Sequence, residues 1–180
     1  NKYQVIRGAI SKELADVAYR YLQISAEADN WMINNYTTHK GNPLVGNFHD
    51  VQVPGSYAKY ADRLMEVLLV KTINTMQKKT GLKLVPTYSY TRLYRTGNIL
   101  NRHKDRPSCE ISTTLCLGGD HWPIYLDPTG ANTVIDEYKG IIKPGAPVGV
   151  EVNLKPGDML IYSGCELEHW RKPFEGKLCG

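Results

Sequence analysis

The sequence predicts an α+β fold that is mainly β, with a jelly-roll (double-stranded β-helix) core buttressed by N-terminal helices. Helical periodicity is confined to residues 1–80, and residues 81–180 carry short segments rich in Thr, Tyr, Ile and Val, separated by Gly and Pro. Several short strands at such spacing are typical of a sandwich or barrel. A chain of 180 residues buries roughly 70% of its unfolded surface, so we expect one domain: helical support and loop in residues 1–80, and the core carrying the site in residues 81–180.

The first predicted element is an amphipathic helix that begins at Lys12. Ser11 precedes "KELADVAYRYLQI", and serine is a favoured N-cap because its hydroxyl accepts from a free backbone N–H of the first turn. Apolar side chains recur at helical spacing in this segment, at Leu14, Val17, Ala18, Tyr21 and Leu22. We expect this helix to pack on a flat surface.

A long irregular connection and a second helix follow. The stretch "NWMINNYTTHKGNPLVGNFHDVQVPGS", residues 30–56, is rich in Asn, Gly and Pro and has no sustained period. Long loops inside compact domains are often functional. The second helix is predicted from Tyr57 to Lys79, with Leu64, Val67, Leu68, Val70 and Ile73 on or near one face, and Gly81 is its predicted stop.

The predicted strands all follow Gly81. They are "LKLVPTYSYTRLY", "CEISTTLCLG", "WPIYLD", "GVEVNL" and "DMLIYSG", and turn sequences such as "DPTGAN" and "KPGD" separate them. In "CEISTTLCLG", polar and apolar residues alternate, which gives one face of each kind. A solvated outer face is the usual explanation of such alternation. If the polar face instead lines a barrel interior, Ser112 and Thr114 could hydrogen-bond a ligand, and Glu110 could reach a substrate.

Composition and charge exclude several classes of protein. Hydrophobic residues make up 42% and charged residues 22% of the chain, which excludes a disordered or collagen-like chain. The net charge is +4, and no run of five basic residues occurs, so a dedicated nucleic-acid arm is not supported. We expect a small-molecule or peptide partner; the oligomeric state is left open.

The expected location is the cytoplasm. No stretch approaches the roughly 18 apolar residues of a membrane span, and "NKYQVIRGAI" lacks the apolar core of a signal peptide. The four cysteines form no CxxC pair, which favours free thiols in a reducing compartment. The first residue is not methionine, and an earlier segment could have been removed.

The candidate site begins with "RHKD". Its residues His103 and Asp105 are two positions apart, and in an extended segment such residues point to one face. Such a pair is weak by itself, and a third ligand is required. His169 is the best candidate because it follows the apolar strand in "KPGDMLIYSG". Two imidazoles and one carboxylate form the facial triad that leaves positions open for Fe(II) chemistry. The other histidines, His39, His49 and His121, are predicted to lie on the surface or in turns.

The combination of these motifs resembles a known family. The HxD pair, the strand in "KPGDMLIYSG", a second histidine and then "RKPFEGK" are similar to the Fe(II)- and 2-oxoglutarate-dependent dioxygenases, in particular the prolyl-4-hydroxylase-like branch. The resemblance runs from Pro86 to Lys177, half of the chain.

The resemblance implies an activity and a set of ligands. The chain would be a hydroxylase that uses Fe(II), 2-oxoglutarate and O2, and it would oxidatively decarboxylate 2-oxoglutarate to succinate and CO2. Its substrate would be a peptidyl proline or another amino-acid-like molecule. The iron ligands would be His103, Asp105 and His169.

The resemblance also implies contacts with 2-oxoglutarate. Tyr94 occupies the place where the family often has a tyrosine that touches this cosubstrate, and an ordinary core tyrosine is the alternative. The family carries a basic residue nine or ten positions after the second histidine; here Lys177 lies eight positions after it and is the first candidate for the distal carboxylate, with Arg171 the second. Thr114 is a further candidate contact. The family's last core strand would lie beyond Lys177, so the chain is expected to end early or to close its barrel differently.

Two other functions fit the same residues. Two histidines and a carboxylate also suit zinc with a bound water, which would make the protein a zinc-dependent hydrolase. A non-catalytic jelly-roll binding module is the second alternative. In each case the segments Asn30–Ser56 and Asp127–Val148 are expected to frame the pocket mouth.

Overall fold

The computed structural model describes residues 2–180, which form two α-helices, one short 3₁₀ helix and twelve strands. The helices are α1 (Lys12–Asn34), α2 (Arg63–Thr80) and the 3₁₀ turn Pro107–Cys109. The strands are β1 (Tyr3–Ile6), β2 (Tyr57–Tyr60), β3 (Tyr90–Arg95), β4 (Leu100–His103), β5 (Ile111–Leu115), β6 (Ile124–Leu126), β7 (Val134–Asp136), β8 (Ile141–Ile142), β9 (Val150–Val152), β10 (Met159–Ser163), β11 (His169–Arg171) and β12 (Leu178–Cys179).

All strand pairs named here are antiparallel. The strand orders are β1-β10-β5, β4-β11-β6-β9 and β12-β3-β2, and β7 and β8 form a separate hairpin. The predicted mainly β class is therefore confirmed. Neighbours in these sheets are mostly distant in sequence, so strands from both halves of the chain are brought together.

Helix α1 begins where the sequence predicts and ends later than expected. The Ser11 hydroxyl accepts from the Leu14 N–H at 3.1 Å, as an N-cap does. Residues 30–34, assigned above to the irregular connection, are helical, so that boundary was wrong. The backbone N–H of Asn35 donates to the Trp31 carbonyl at 3.0 Å. The asparagines that suggested a loop instead lie on the exposed side of the last turns.

The predicted start of the second helix at Tyr57 was also wrong. Tyr57–Tyr60 is strand β2, which pairs with β3, and its two tyrosines are residues that strands favour. Asp62 then caps α2, because its Oδ1 accepts from the Leu64 N–H at 3.0 Å. The predicted stop is confirmed: Gly81 adopts φ +73°, and its N–H donates to the Gln77 carbonyl at 2.9 Å.

Both helices pack against the sheet that contains β2 and β3. The buried cluster joins small and aliphatic residues of α1 with apolar residues of α2 and of the strands: Ile10, Ala15, Ala18, Leu22, Ala26, Tyr57, Met65, Leu68, Leu93 and Leu117. This packing accounts for most of the apolar stripe predicted for the first helix, but Val17 is exposed, and so are Val67 and Val70 of the face predicted for the second helix, so those three assignments were wrong.

Several strands were not predicted. β1 lies in the N-terminal half and pairs with β10, with Tyr3 opposite Tyr162. The β7–β8 hairpin lies inside the segment expected to frame the pocket. Conversely, residues 82–89 of the predicted strand "LKLVPTYSYTRLY" are irregular. β12 follows Lys177 directly and pairs with β3, with Cys179 opposite Tyr94.

The helices and cysteines bear on the expectations that no segment spans a membrane and that the thiols are free. Within residues 2–180, neither helix combines the length and the apolar character needed to cross a bilayer. The four cysteines Cys109, Cys116, Cys165 and Cys179 are free thiols.

Asp158, in the predicted turn "KPGD", ties β1 to the turn before β10. Its Oδ1 accepts from the Gly8 N–H at 2.9 Å, and its Oδ2 accepts from the Lys155 N–H at 3.0 Å and from Arg7 Nη1 at 2.6 Å. Burial alone would raise the pKa of Asp158, but these hydrogen bonds outweigh it and lower the pKa below the usual value for aspartate. The charged carboxylate therefore stabilises the fold.

We predict that Asp158→Asn lowers the free energy of unfolding by about 1–3 kcal/mol at pH 7, since it removes a charged acceptor from buried donors. Because the folded-state pKa is depressed, the stabilisation is complete above about pH 4, the usual range for aspartate, and is lost as the pH falls through the lower folded value. Urea unfolding at a series of pH values should show the two proteins converge in acid. Asp16→Asn, on the exposed side of α1, is the matched control and should change stability by less than about 0.5 kcal/mol. A wild-type-minus-variant difference that stays constant down to acid pH would contradict this account.

Candidate metal centre

The register of two neighbouring strands brings the two predicted ligand histidines together. In the antiparallel pair of β4 with β11, His103 lies directly opposite His169, and directly opposed residues point to the same face. Their ring centroids are 4.2 Å apart, and both side chains are buried. The two histidines are 66 positions apart in the sequence, and the pairing of β4 with β11 brings them into contact.

Asp105 joins the histidines from outside the strand. β4 ends at His103, so the alternation of an extended strand, on which the pairing was predicted, does not continue to Asp105. The Asp105 N–H donates to the Gly164 carbonyl at 2.9 Å, which holds this segment against the end of β10. The Asp105 Oδ1 then lies 3.8 Å from Nε2 of His103 and 3.5 Å from Nε2 of His169.

Hydrogen bonds to the backbone orient both imidazoles. Nδ1 of His103 lies 2.8 Å from the Asn101 carbonyl, and Nδ1 of His169 lies 3.0 Å from the Leu167 carbonyl. A carbonyl only accepts, so in each neutral ring Nδ1 carries the proton and Nε2 keeps its lone pair. Two lone pairs and a carboxylate oxygen therefore converge, with all three ligand atoms within 4.8 Å of one another.

The charge states of the cluster suit a cation. Burial, together with the neighbouring His169 ring, lowers the pKa of His103 to about 4, so this imidazole is neutral at pH 7. Burial would raise the pKa of Asp105, but the hydrogen-bonding and charge contributions of His169, Ser112 and His103 lower it overall. The neutral His103 nitrogen and the Asp105 carboxylate are ligands that a divalent metal ion accepts, and the ion supplies positive charge next to the carboxylate.

Ser112 and Gly164 fix the position of Asp105, and neither role was predicted from the sequence. The Ser112 hydroxyl donates to Asp105 Oδ2 at 2.6 Å, which occupies one carboxylate oxygen and leaves Oδ1 toward the histidines. A Cβ on Gly164 would overlap Ser112 Oγ and Asp105 Oδ2 and would lie 2.8 Å from the Cys109 carbonyl oxygen. The one available signal was a glycine directly after the apolar strand in "MLIYSG".

A buried ionic network holds the strands that carry the histidines. Arg102 precedes His103 and Glu168 precedes His169, and Arg102 Nε donates to Glu168 Oε2 at 2.7 Å. Arg102 Nη2 also donates to Asp127 at 2.7 Å, while Glu168 accepts from the Thr133 N–H at 2.6 Å. The network thus connects β4, β11 and the segment that leads into the β7–β8 hairpin.

Arg171 lies in the interior, on the same face of β11 as His169. Its Nη1 donates to the Trp122 carbonyl at 2.5 Å, and its guanidinium lies 4.7 Å from the Trp122 ring centroid and 5.8 Å from that of Tyr94. Burial raises the pKa of Tyr162, and the positive charge of Arg171 partly opposes that rise. Within residues 2–180, no carboxylate forms an ion pair with Arg171.

The other predicted cation, Lys177, lies elsewhere. Its side chain is exposed, and its backbone N–H donates to Asp120 Oδ2 at 2.6 Å. Tyr94 is half-buried and contacts Trp122 edge to face, with ring centroids 4.7 Å apart. The structure therefore groups Tyr94 with Arg171 and leaves Lys177 at the surface.

The polar face of β5 turns toward this interior. Ser112 contacts Asp105 as described, and Thr114 lies beside the hydroxyl of Tyr162, which in turn is 3.4 Å from Nε2 of His169. Glu110 is exposed. Thr114 is therefore near the metal-ligand cluster, as the alternation of "CEISTTLCLG" suggested.

The three remaining histidines lie apart from this cluster. His39 and His49 are exposed in the irregular segment that follows α1, and His121 is exposed in the turn before β6. Their assignment to surface or turn positions is confirmed.

Comparison with sequences of known proteins identifies no relative. No protein-family model matches the chain, and no curated protein matches it.

Comparison with solved structures finds similar folds at low identity. A prolyl-4-hydroxylase from Pseudomonas putida aligns with a TM-score of 0.57 and 14% identity, over 99% of this chain and 88% of that chain. HygX from Streptomyces hygroscopicus, solved with nickel, 2-oxoglutarate and hygromycin B bound, aligns with a TM-score of 0.66 and 14% identity, over 99% and 80% of the two chains. The viral collagen prolyl hydroxylase of Paramecium Bursaria Chlorella virus-1, in its 2-oxoglutarate complex, aligns with a TM-score of 0.52 and 13% identity, over 99% and 92%. The chain therefore has the fold of these proteins, as the sequence motifs led us to expect.

We predict that Gly164→Ala weakens Mn²⁺ binding by roughly tenfold or more, since the added methyl group displaces Asp105 or Ser112, and disturbing groups that orient metal ligands has effects of about 10–100-fold. Isothermal titration with Mn²⁺ measures the change. The matched control is Gly41→Ala, because the nearest atom to a Cβ at Gly41 is 3.6 Å away, on the His39 ring. Equal affinities for Mn²⁺ in the wild type and in Gly164→Ala would contradict the arrangement described.

Proposed function

We propose that this protein is an Fe(II)- and 2-oxoglutarate-dependent oxygenase that hydroxylates an amino-acid-like or peptide substrate. The observation that carries the proposal is the convergence of His103 Nε2, His169 Nε2 and Asp105 Oδ1, which all lie within 4.8 Å of one another. Two neutral imidazoles and one carboxylate are the donor set of the facial triad of non-haem Fe(II) oxygenases. The similarity of the fold to hydroxylases and to 2-oxoglutarate-bound proteins supports the same function.

The donor set fits the metal, and the protein's own residues would prepare it. The three side chains would hold Fe(II), which when bound supplies O2-dependent oxidative decarboxylation of 2-oxoglutarate to succinate and CO2. The Asn101 and Leu167 carbonyls place the proton of each neutral ring on Nδ1, so that Nε2 offers its lone pair, and Ser112 keeps one Asp105 oxygen occupied. Burial of both histidines limits the access of water to the ligands.

We assign the distal carboxylate of 2-oxoglutarate to Arg171 rather than to Lys177. Arg171 is a buried cation without a carboxylate partner among residues 2–180, and it lies two residues after a proposed ligand on the same strand. A guanidinium matches a carboxylate in charge and geometry. Tyr94 and Thr114 are proposed to contact the same cosubstrate, since both line the interior near Arg171 and His169. The exposed Lys177 has no such position.

The proposed function also implies a particular arrangement of the sheets. We propose that the antiparallel sheets form the double-stranded β-helix of the oxygenases within a single domain, residues 1–180, with the two helices as its support. Peptidyl proline, free amino acids and other small molecules are the candidate substrates. A cytoplasmic location stays a prediction, favoured by the free thiols.

Binding of 2-oxoglutarate tests this function against the alternatives. With Mn²⁺ present, 2-oxoglutarate at about 100 times its Kd should raise the Tm by roughly 5–10 °C. We predict that Arg171→Met weakens 2-oxoglutarate binding by at least about tenfold, because it removes the cation that pairs with the distal carboxylate. Lys177→Met is the matched control and should keep the wild-type shift.

The opposite pattern, in which only Lys177→Met loses the shift, would reverse the assignment between the two cations. A Tm that responds to Zn²⁺ and never to 2-oxoglutarate would favour the zinc hydrolase. A Tm that responds to neither metal nor 2-oxoglutarate would favour the non-catalytic binding module.

A further inference from the structure

Arg92 is a second buried cation, on the strand that carries Tyr94. Side chains alternate along a strand, so Tyr90, Arg92 and Tyr94 share one face of β3, opposite the face on which Leu93 packs against the helices. The Arg92 side chain is 8% exposed. Asp50 and Gln52, from the long irregular segment after α1, lie against it. We call Asp50, Gln52, Tyr90 and Arg92 the Arg92 cluster.

The guanidinium of Arg92 is only partly satisfied. Its Nη2 donates to Asp50 Oδ2 at 2.9 Å and to Gln52 Oε1 at 2.7 Å. Its Nε–H is buried and has no hydrogen-bond partner among residues 2–180, and no residue in that range accepts from Nη1. Buried N–H groups are nearly always paired, and Asp50 and Gln52 both bind Arg92 through Nη2, so Arg92 has hydrogen-bonding capacity left for an acceptor that is not part of the chain.

Asp50 has no spare capacity within the cluster. Its Oδ2 accepts from the Tyr90 hydroxyl and from Arg92, and its Oδ1 accepts from the Gln52 N–H at 2.7 Å and the Val53 N–H at 3.2 Å. The carboxylate is therefore committed to holding the loop and Arg92. The cluster offers free N–H donors and no free carboxylate oxygen, so it suits an acceptor and does not suit an ammonium group.

The Arg92 cluster lies next to the metal centre. Tyr94 is the next residue on the same face of β3, and its ring lies 5.8 Å from the guanidinium of Arg171. Arg171 in turn lies two residues after His169 on β11. Tyr94 therefore lies close to both arginines, two residues after Arg92 on β3 and 5.8 Å from the guanidinium of Arg171, and the loop that holds Arg92 is one of the two segments expected to frame the pocket mouth.

We infer that Arg92 binds a carboxylate group of the primary substrate, so that the enzyme acts on an acid such as an amino acid with a free carboxylate. The inference depends on the proposed function, because it assumes that the substrate approaches the metal centre. Arg171 is assigned to 2-oxoglutarate, which leaves Arg92 for the second ligand. A carboxylate supplies acceptor oxygens for the N–H donors of Arg92 that Asp50 and Gln52 leave free, and charge-assisted hydrogen bonds to arginine are stronger than bonds to a neutral amide.

A panel of matched compounds tests this inference without turnover. N-acetyl amino acids with a free carboxylate are compared with their C-terminal carboxamides, and the shift in Tm is measured with Mn²⁺ and 2-oxoglutarate present. In the wild type, the best acids should bind about tenfold or more tightly than their amides. If no acid in the panel exceeds its amide, the inference is wrong, and this comparison needs no variant.

Two variants locate the preference. Arg92→Gln should reduce the acid-to-amide ratio to near one, while Arg95→Gln, at an exposed position of the same strand, should keep the wild-type ratio. Arg92→Gln should also retain the Tm shift caused by 2-oxoglutarate; its loss would make Arg92 a cosubstrate residue and overturn the inference. Failure of the wild type to respond to 2-oxoglutarate would instead count against the oxygenase, and the acid-to-amide comparison separates the two failures.

Discussion

The antiparallel pairing of β4 with β11 is the interaction on which the candidate site depends. It places His103 opposite His169, and the residues just before these histidines, Arg102 and Glu168, form a buried ion pair. Burying two charges costs hydration free energy, and removing one partner of such a pair is strongly destabilising. A slip of one residue in this register would turn each histidine to the opposite face of its strand. The ion pair therefore stabilises the one register in which both imidazoles converge.

Around this pairing, one carboxylate lies with the two imidazoles, and two arginines lie nearby. Asp105 is the one carboxylate that joins the two imidazoles within residues 2–180, and Ser112 satisfies its second oxygen. Tyr94 is near two cations: Arg171, which has no carboxylate partner within residues 2–180, and Arg92, whose partner Asp50 is fully engaged. The three metal-ligand side chains thus lie near two arginines that have free N–H donors. This arrangement suits a metal ion together with a dianionic cosubstrate and an acidic substrate.

The ligand set was predictable from the sequence because its chemistry is local: HxD is a short motif, and a histidine after an apolar strand is readable as a third ligand. The proposal of Arg171 as the cosubstrate cation could not be reached in the same way, because spacing favoured Lys177, and the sequence does not show that Arg171 is buried while Lys177 is exposed. Gly164 and Ser112 act on Asp105 through long-range packing that no local pattern reports.

Element boundaries were wrong where local composition competed with tertiary structure. The asparagines at the end of α1 suggested a loop, and the tyrosines of β2 were read as the first turn of a helix, although pairing with β3 makes them a strand.

The central claim is that His103, Asp105 and His169 hold iron that directs O2 to 2-oxoglutarate. The most direct measurement is mass spectrometry of succinate formed by the Fe(II)-loaded protein from 2-oxoglutarate under isotopically labelled dioxygen. Oxidative decarboxylation transfers one oxygen atom of O2 to succinate, so the account predicts succinate with one labelled oxygen from the wild type, and none formed by His103→Ala. Absence of labelled succinate from the wild type, or equal amounts from both proteins, would contradict it.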